Sequence, residues 1–314
     1  MSVQQRQAAA RALAQEAALA EVFPVLVERG VRPLLIKGHA TARLLGTDSA
    51  ARPSGDLDLL VAESALPATK AVLLALGFQE DQDWIRRTGP SEVASALIHA
   101  HAWTRGGPFP VAIDLHHSLY RVQQPSVLFA ALSRDAHTIT IGPTVVEVPG
   151  DGACALIVAL HAAHHHRDMA KPLEDLRRAT LCVPELTWHQ AASLASELGV
   201  VGSFAFGLRL VDSGALLANR LGVSHTGKLG RRLRTPDTLG GARWIDSLLH
   251  APTLRVATTV LYDAVFPSPR LVRAFNPELG SSRWRLAAYY LRRWLRIPRA
   301  LALYAYARVR HVDE

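Results

Sequence analysis

The chain has 314 residues and a formal net charge of +8, and it is 49% hydrophobic and 20% charged. This length suits two domains, and this composition excludes collagen-like, low-complexity and broadly disordered chains. The two cysteines form no CxxC pair, which excludes a disulfide framework and a four-thiolate zinc site and favours a reducing cytoplasm. The apolar runs are too short to span a membrane, and the N-terminus does not have the pattern of a signal peptide.

Hydrophobic periodicity divides the chain into a mixed front half and a helical back half. In the front half, short apolar runs bounded by glycine, proline or polar residues are typical of strands. In chain order we predict a helix over 3–29, a strand over 34–36, one or two helical turns over 40–45 and a strand over 56–61. A helix over 67–76, strands over 98–104 and 111–117, and a hairpin over 139–148 that turns at Gly142-Pro143 follow. From residue 151 onward the period is helical. We therefore expect an α+β domain over residues 1–150 and an all-helical domain over residues 151–314.

The tripeptide Asp56-Leu57-Asp58 is the first candidate functional motif. Residues two apart on a strand point to the same face, so both carboxylates project together while Leu57 points into the core. Two carboxylates this close repel each other unless a cation lies between them, and oxygen ligands of this kind suit Mg²⁺. The pattern alone is frequent by chance, and two solvated residues at the start of a strand explain it equally well.

A third carboxylate, Asp114, lies inside another apolar strand-like run. If the two strands are neighbours, three carboxylates converge, which is the ligand set for two metal ions about 3.5–4 Å apart in phosphoryl transfer. Upstream, Lys37 and Gly38 follow a strand, where Gly38 lets the backbone approach a phosphate and Lys37 supplies a positive charge. Arg52 lies four residues before Asp56 and suits a second phosphate contact. If these carboxylates serve phosphoryl transfer, Asp58→Ala should abolish that reaction without unfolding the protein, because we expect the Asp58 carboxylate to face solvent.

These motifs, in this order, resemble a known family. The segments are LIKG (35–38), RPSGDLDLLV (52–61), LGF (76–78) and IDLH (113–116), followed in the helical half by Leu160-His161 and KPLEDL (171–176). They are similar to the uncharacterised bacterial nucleotidyltransferase family of the DNA polymerase β nucleotidyltransferase superfamily, over most of residues 20–215.

The resemblance implies a small mixed β-sheet that carries the acidic triad and a C-terminal all-helical domain that closes over the nucleotide. It implies that Asp56 and Asp58 bind Mg²⁺ or Mn²⁺, and that Asp114 completes one metal site and helps to deprotonate the acceptor. A nucleoside triphosphate is the implied co-substrate. The residues implied to face this nucleotide are Lys37, Gly38, Arg52, His161, Lys171 and Asp175.

The histidine-rich segment allows a rival interpretation. His161, His165 and Asp168 fall on one helical face, so they could form a separate zinc or iron site of hydrolase type.

The C-terminal region holds most of the net charge. Residues 283–314 contain eight arginines and two acidic residues, a net charge of +6. Such a region suits nucleic acid, an anionic membrane surface or an acidic partner. The helical spacing of Trp284, Ala287, Leu291 and Leu295 favours a simpler arrangement, in which these residues are core and the arginines are solvated.

Two function classes follow. The first is a metal-dependent nucleotidyltransferase that moves a nucleoside monophosphate to a hydroxyl or other acceptor. The acceptor is a peptide, a natural product, a small molecule or RNA, and the first two are suggested because family members occur beside ribosomal-peptide pathways. The second is a catalytically degenerate nucleotidyltransferase fold that binds RNA or a protein partner through its basic tail.

Overall fold

The structure is a computed structural model, and the chain divides into two compact units. Residues 1–81 with 99–225 form the first unit, and residues 82–98 with 226–314 form the second. The domain division predicted at residue 150 falls inside the first unit and stays a prediction. The structure describes residues 3–47, 55–81, 100–119, 121–122, 125–165, 169–224, 254–266, 269, 272–273 and 279–295.

The front half of the first unit has mixed helices and strands. In chain order these are α1 (Val3–Glu28), β1 (Leu34–Ile36), α2 (Gly38–Leu44), β2 (Leu57–Leu60), a 3₁₀ turn (Glu63–Ala65), α3 (Leu66–Ala75), β3 (Gln79–Glu80), β4 (Ala100–Arg105), β5 (Val111–His116), α4 (Pro125–Ser133), β6 (His137–Ile141) and β7 (Thr144–Val148). This sequence of elements confirms the predicted α+β class.

Five strands form one mixed sheet in the order β1-β2-β5-β4-β3. The β2 and β5 strands are parallel, and the other neighbouring pairs are antiparallel. The β6 and β7 strands form a separate two-stranded hairpin that turns at Gly142, as predicted. Gly142 has a φ of +53°, a conformation that glycine adopts without steric cost.

The central strands are buried on both faces, and each face packs against a different group of helices. On one face, Leu57 and Leu59 join a core with residues of α1 and α3. On the other face, Leu34, Ile36 and Leu60 join a core with residues of the first helix of the back half. A polar side chain that shares a face with Leu60 therefore points toward the helical layer.

The back half of the first unit is helical, as predicted. Its helices are α5 (Asp151–His165), α6 (Ala170–Cys182), α7 (Glu185–Glu197), α8 (Val201–Leu208) and α9 (Asp212–Arg220). The α5 helix is the centre of this layer, because nearly every residue from Gly152 to Ala163 is buried. The α8 helix approaches α5 so closely that a Cβ atom on Gly207 would lie 2.1 Å from the carbonyl oxygen of Ala159.

The predicted helix over 3–29 is confirmed, because α1 continues through Pro24 to Glu28 as one helix. Other local features differ from the sequence-based expectation. The α4 helix and the short β3 strand were not predicted, and α2 begins at Gly38, two residues before the expected helical turn at 40–45. Within the described part of the chain, no helix is both long and apolar enough to cross a bilayer.

The second unit is helical in the residues that are described. It contains α10 (Leu254–Val265) and a helical stretch over residues 283–295. The expectation that Trp284, Leu291 and Leu295 belong to a core is wrong, since these side chains are 86%, 57% and 70% exposed. Hydrophobic spacing identified the face correctly, but it cannot say on which side of a helix the rest of the protein lies.

Candidate active site

The strands that carry the acidic residues lie side by side at the centre of the sheet. The parallel pairing of β2 and β5 sets Asp58 opposite Asp114. Because cross-strand partners point to the same face of a sheet, both carboxylates project from the face that also carries Leu60. Asp56 lies just before β2 and is partly exposed. The expectation that the two acidic strands are neighbours is confirmed.

Lys37 meets Asp58 from the end of β1. Its Nζ donates a hydrogen bond of 2.6 Å to Asp58 Oδ1, and the two side chains are 18% and 5% exposed. The backbone of Lys37 has a φ of +58° and a ψ of −153°, a region that normally only glycine occupies. A non-glycine residue there costs about 1–3 kcal/mol. Gly38, which follows with a φ of +36°, completes this tight exit from the strand into α2.

His116 also belongs to the site, although sequence analysis gave it no role. It lies two residues after Asp114 on β5, so both side chains share one face of the sheet. Its Nε2 atom lies 3.0 Å from Asp58 Oδ1 and 3.4 Å from Lys37 Nζ, and the residue is 1% exposed. The two-residue spacing from Asp114 was the signal in the sequence that could have identified it.

The pKa values of both Asp58 and His116 are lowered in this group. Burial acts to raise the pKa of Asp58, but the Lys37 ammonium and the His116 hydrogen bond outweigh it and hold the pKa well below the usual range. Burial, and then the Lys37 ammonium, lower the pKa of His116 below its ordinary value. A neutral imidazole has one N–H, so Nε2 either donates to Asp58 or accepts from Lys37.

Asp114 has the opposite perturbation. Burial, and then the negative charges of Asp58 and Asp56, raise its pKa from 3.8 to about 7. The Lys37 ammonium acts in the other direction but does not cancel this effect. A carboxylic acid with a pKa near neutrality suits proton exchange with a substrate. Asp56 and Asp58 therefore both act electrostatically on Asp114.

The same residues fit a divalent metal ion. Among the described residues, one group of potential ligands is close enough to hold an ion: Asp58, Asp114 and His116, with ligand atoms within 4.8 Å of one another. Two carboxylates suit Mg²⁺ or Mn²⁺, and an imidazole that contacts a ligating carboxylate orients it. The Lys37 ammonium at Asp58 shows that this position already accommodates a positive charge. Asp56 is not in this group.

Among the other predicted nucleotide-facing residues, His161 has electrostatic interactions with Lys37 and Asp58 of the site. It lies on α5 and is partly buried. Burial, and then the Lys37 ammonium, hold its pKa well below the usual value, and Asp58 also acts on it. On α6, Lys171 is exposed and Asp175 is buried. Arg52 lies outside the described residues.

The rival metal site is not assembled by the residues that the structure describes. His161 and His165 lie edge to face with ring centroids 4.7 Å apart, but Asp168 is outside the described residues. The one group of described residues that could hold a metal contains neither His161 nor His165.

The expectation that Asp58 faces solvent is wrong. Asp58 is 4% exposed and ion-paired. Its conversion to alanine would leave the Lys37 ammonium without this partner, so the substitution also perturbs the fold.

Comparisons with solved structures give distant likenesses. The antibiotic-resistance factor ANT(2'')-Ia in solution is 14% identical, with 60% of this chain and 95% of that chain covered and a TM-score of 0.41. An antigenic nucleotidyltransferase-like protein from Paracoccidioides brasiliensis is 16% identical, with 65% and 93% covered and a TM-score of 0.34. A tRNA-processing enzyme in an apo form is 13% identical, with 87% and 76% covered and a TM-score of 0.30. Identities and TM-scores this low say nothing about the substrate of this chain.

A family comparison reaches further. Among curated proteins, none matches this sequence. The model of the family described as uncharacterised nucleotidyltransferases matches residues 1–213, which include the five-stranded sheet and the helices that cover its acidic face. The chain therefore belongs to this nucleotidyltransferase family, and it is an enzyme of the class that transfers nucleoside monophosphate groups.

Proposed function

We propose that this protein uses a divalent metal ion, Mg²⁺ or Mn²⁺, to transfer a nucleoside monophosphate from a nucleoside triphosphate to an acceptor. In this reaction a bond forms between the α-phosphorus and the acceptor oxygen, and the bond between the α-phosphorus and pyrophosphate breaks. The observation that supports the proposal most directly is the pairing of Asp58 with Asp114 on parallel strands. The family of the chain supports the same reaction class.

Asp58 and Asp114 are the residues that would hold the metal, and the family resemblance adds Asp56, which is not among the close ligand atoms. When bound, the ion would neutralise charge on the reacting phosphate oxygens. His116 would position Asp58 through the 3.0 Å contact between Nε2 and Oδ1. Asp114 would help to remove the proton from the acceptor hydroxyl, and a metal ion on its carboxylate would lower its pKa from the metal-free value of about 7.

The nucleotide would be held by positive charge and by the tight turn after β1. Lys37 would exchange its contact with Asp58 for a phosphate oxygen. A metal ion would neutralise the charge of Asp58, and the triphosphate would offer the ammonium a new negative partner. Gly38 would allow the backbone to approach the phosphates. The electrostatic interaction of His161 with Lys37 supports a place for His161 beside the nucleotide. Arg52, Lys171 and Asp175 remain proposals from the family resemblance.

The acceptor is proposed only as a class. A peptide, a natural product, another small molecule or RNA each offers the hydroxyl or phosphate that the reaction needs. We place the reaction in the cytoplasm of a bacterial cell, where nucleoside triphosphates and free magnesium are available. We propose residues 1–150 as the catalytic domain and the helices from residue 151 as its cover.

The test uses the position of a radioactive label. The full chain is incubated with Mg²⁺ and each of four nucleoside triphosphates, labelled on either the α- or the γ-phosphate, together with peptide, small-molecule and RNA fractions. Nucleotidyl transfer puts the α-label in the product and the γ-label in pyrophosphate. A γ-label in the product would indicate a kinase and would refute the proposal. Asp135→Asn removes an exposed carboxylate outside the site, and this variant should react as the wild type does.

A further inference from the structure

The helical stretch over residues 283–295 presents an apolar surface to solvent. Residues at steps of three, four and seven share one side of a helix. Here that side carries Trp284, Leu291 and Leu295, which are 86%, 57% and 70% exposed, with Ala287 and Ala288 exposed between them. These five residues form what we call the outward stripe.

The opposite side of this helix faces its own unit. Leu286, Tyr289, Tyr290 and Arg293, which fall on that side, are only partly exposed. Beside them, Trp294 Nε1 donates a 2.8 Å hydrogen bond to the carbonyl of Val265, at the end of α10. The Trp294 ring contacts Phe266, with centroids 5.8 Å apart. The helix is therefore held with its apolar stripe outward and an arginine inward, which is the reverse of an ordinary surface helix.

Positive charge lies on both sides of the outward stripe. Arg285 and Arg292, one helical repeat apart, flank it on one side, and Arg283 flanks it on the other, and all three are exposed. Residues 283–295 contain no acidic residue. A tryptophan and two leucines in the centre with arginines at the edges is the pattern of a helix that lies in the headgroup region of an anionic bilayer.

We propose that the outward stripe docks this protein peripherally on a bilayer surface that contains anionic lipid. The arginines contact lipid phosphates, and Trp284, Leu291 and Leu295 enter the acyl boundary. RNA would use the same charges but would leave Leu291 and Leu295 in water, since bases stack on aromatic rings rather than on leucine. The lipid surface accounts for both the charge and the apolar residues. The inference goes beyond nucleotidyl transfer and does not depend on it.

The experiment measures binding of the full-length chain to vesicles by co-sedimentation. Vesicles of phosphatidylcholine with about 30% phosphatidylglycerol, at about 0.1 M salt, are compared with phosphatidylcholine alone. We expect binding to the anionic vesicles only. Leu291→Ser/Leu295→Ser should weaken this binding about 30-fold, because it removes two inserted side chains. Arg285→Gln/Arg292→Gln should also weaken it about 30-fold, because it removes two charges.

Each variant has a matched control in the first unit. Leu181→Ser/Leu186→Ser removes two leucines that are 73% and 71% exposed, and Arg6→Gln/Arg11→Gln removes two exposed arginines of α1. These controls should bind vesicles as the wild type does. Circular dichroism and the thermal unfolding midpoint show whether each variant is folded, which is expected because the substituted side chains are exposed.

Four outcomes overturn the proposal. The first is a wild-type chain that does not bind anionic vesicles. The second is a wild-type chain that binds a single-stranded RNA oligomer and no vesicles, which would assign the stripe to nucleic acid. The third is a wild-type chain that forms a dimer and does not bind vesicles, while the Leu291→Ser/Leu295→Ser variant is a monomer. This result would assign the stripe to a second copy of the chain. The fourth is vesicle binding that the leucine variant and its control retain equally.

Discussion

Replacing Asp114 with asparagine is predicted to change how folding stability depends on pH. Burial, and then the charges of Asp58 and Asp56, raise the pKa of Asp114 from 3.8 to about 7 in the folded protein. Between these values the folded state holds a proton that the unfolded chain has released. The free energy of unfolding of the wild type therefore decreases as the pH rises through this window. Asparagine does not titrate, so the variant lacks this decrease.

The size of the effect follows from the width of the window. Each unit of pKa difference corresponds to about 1.4 kcal/mol. From pH 5 to pH 8 the wild type crosses about two units of the window below the folded pKa, which corresponds to about 3 kcal/mol. The stability of Asp114→Asn relative to the wild type should therefore increase by about 3 kcal/mol over this range. Comparing two pH values cancels the fixed cost of the substitution.

Urea denaturation with a metal chelator present, at pH 5 and at pH 8, measures this difference. The chelator is needed because a bound cation would itself lower the pKa of Asp114. Asp135→Asn, which removes an exposed carboxylate, is the control and should follow the wild type. The reasoning is refuted if the Asp114→Asn difference changes by less than about 0.5 kcal/mol over this range, or if it decreases with pH.

Three further predictions concern single residues. Lys37→Met should lower the free energy of unfolding in chelator by about 3 kcal/mol, because it removes the cation from buried Asp58, and Mg²⁺ should restore part of the loss in urea titrations. His116→Gln should weaken Mg²⁺ binding about 10-fold or more, as measured by calorimetry, because His116 contacts Asp58. His189→Gln, at an exposed position, should leave Mg²⁺ binding unchanged. Gly207→Ala should destabilise the protein by about 3 kcal/mol, because its Cβ would meet the carbonyl oxygen of Ala159, and an equal effect from Gly106→Ala, which has open space, would contradict this explanation.

The sequence was sufficient to predict that Asp58 and Asp114 lie close together. Asp58 and Asp114 each lie in a short apolar run, and a charged residue inside such a run indicates a polar site at a strand. The pairing of β2 with β5 then brings them together. The class of fold could be predicted for a similar reason, since the hydrophobic period changes from that of strands to that of helices near residue 151.

The rest depended on tertiary contacts that local pattern does not encode. The burial of Asp58 and its pairing with Lys37 arise because β1 and β2 are neighbours and because the backbone of Lys37 adopts a positive φ. His116 has the same spacing from Asp114 as Asp56 has from Asp58, but it becomes part of the site only because Asp58 lies opposite on the next strand. The outward stripe has the spacing of a core face, and only its surroundings reveal that it is exposed.

Calorimetry can show whether this protein binds a nucleoside triphosphate through a metal ion held by Asp58 and Asp114. ATP, GTP, CTP and UTP are titrated into the full chain with and without Mg²⁺, and into Asp58→Asn and Asp114→Asn, with Glu63→Gln at an exposed position as the control. We expect at least one nucleotide to bind in a way that requires Mg²⁺, is lost in both aspartate variants and is retained in the control. Binding that does not need the metal, or that the folded aspartate variants retain, would contradict it, as would a wild type that binds none of the four nucleotides.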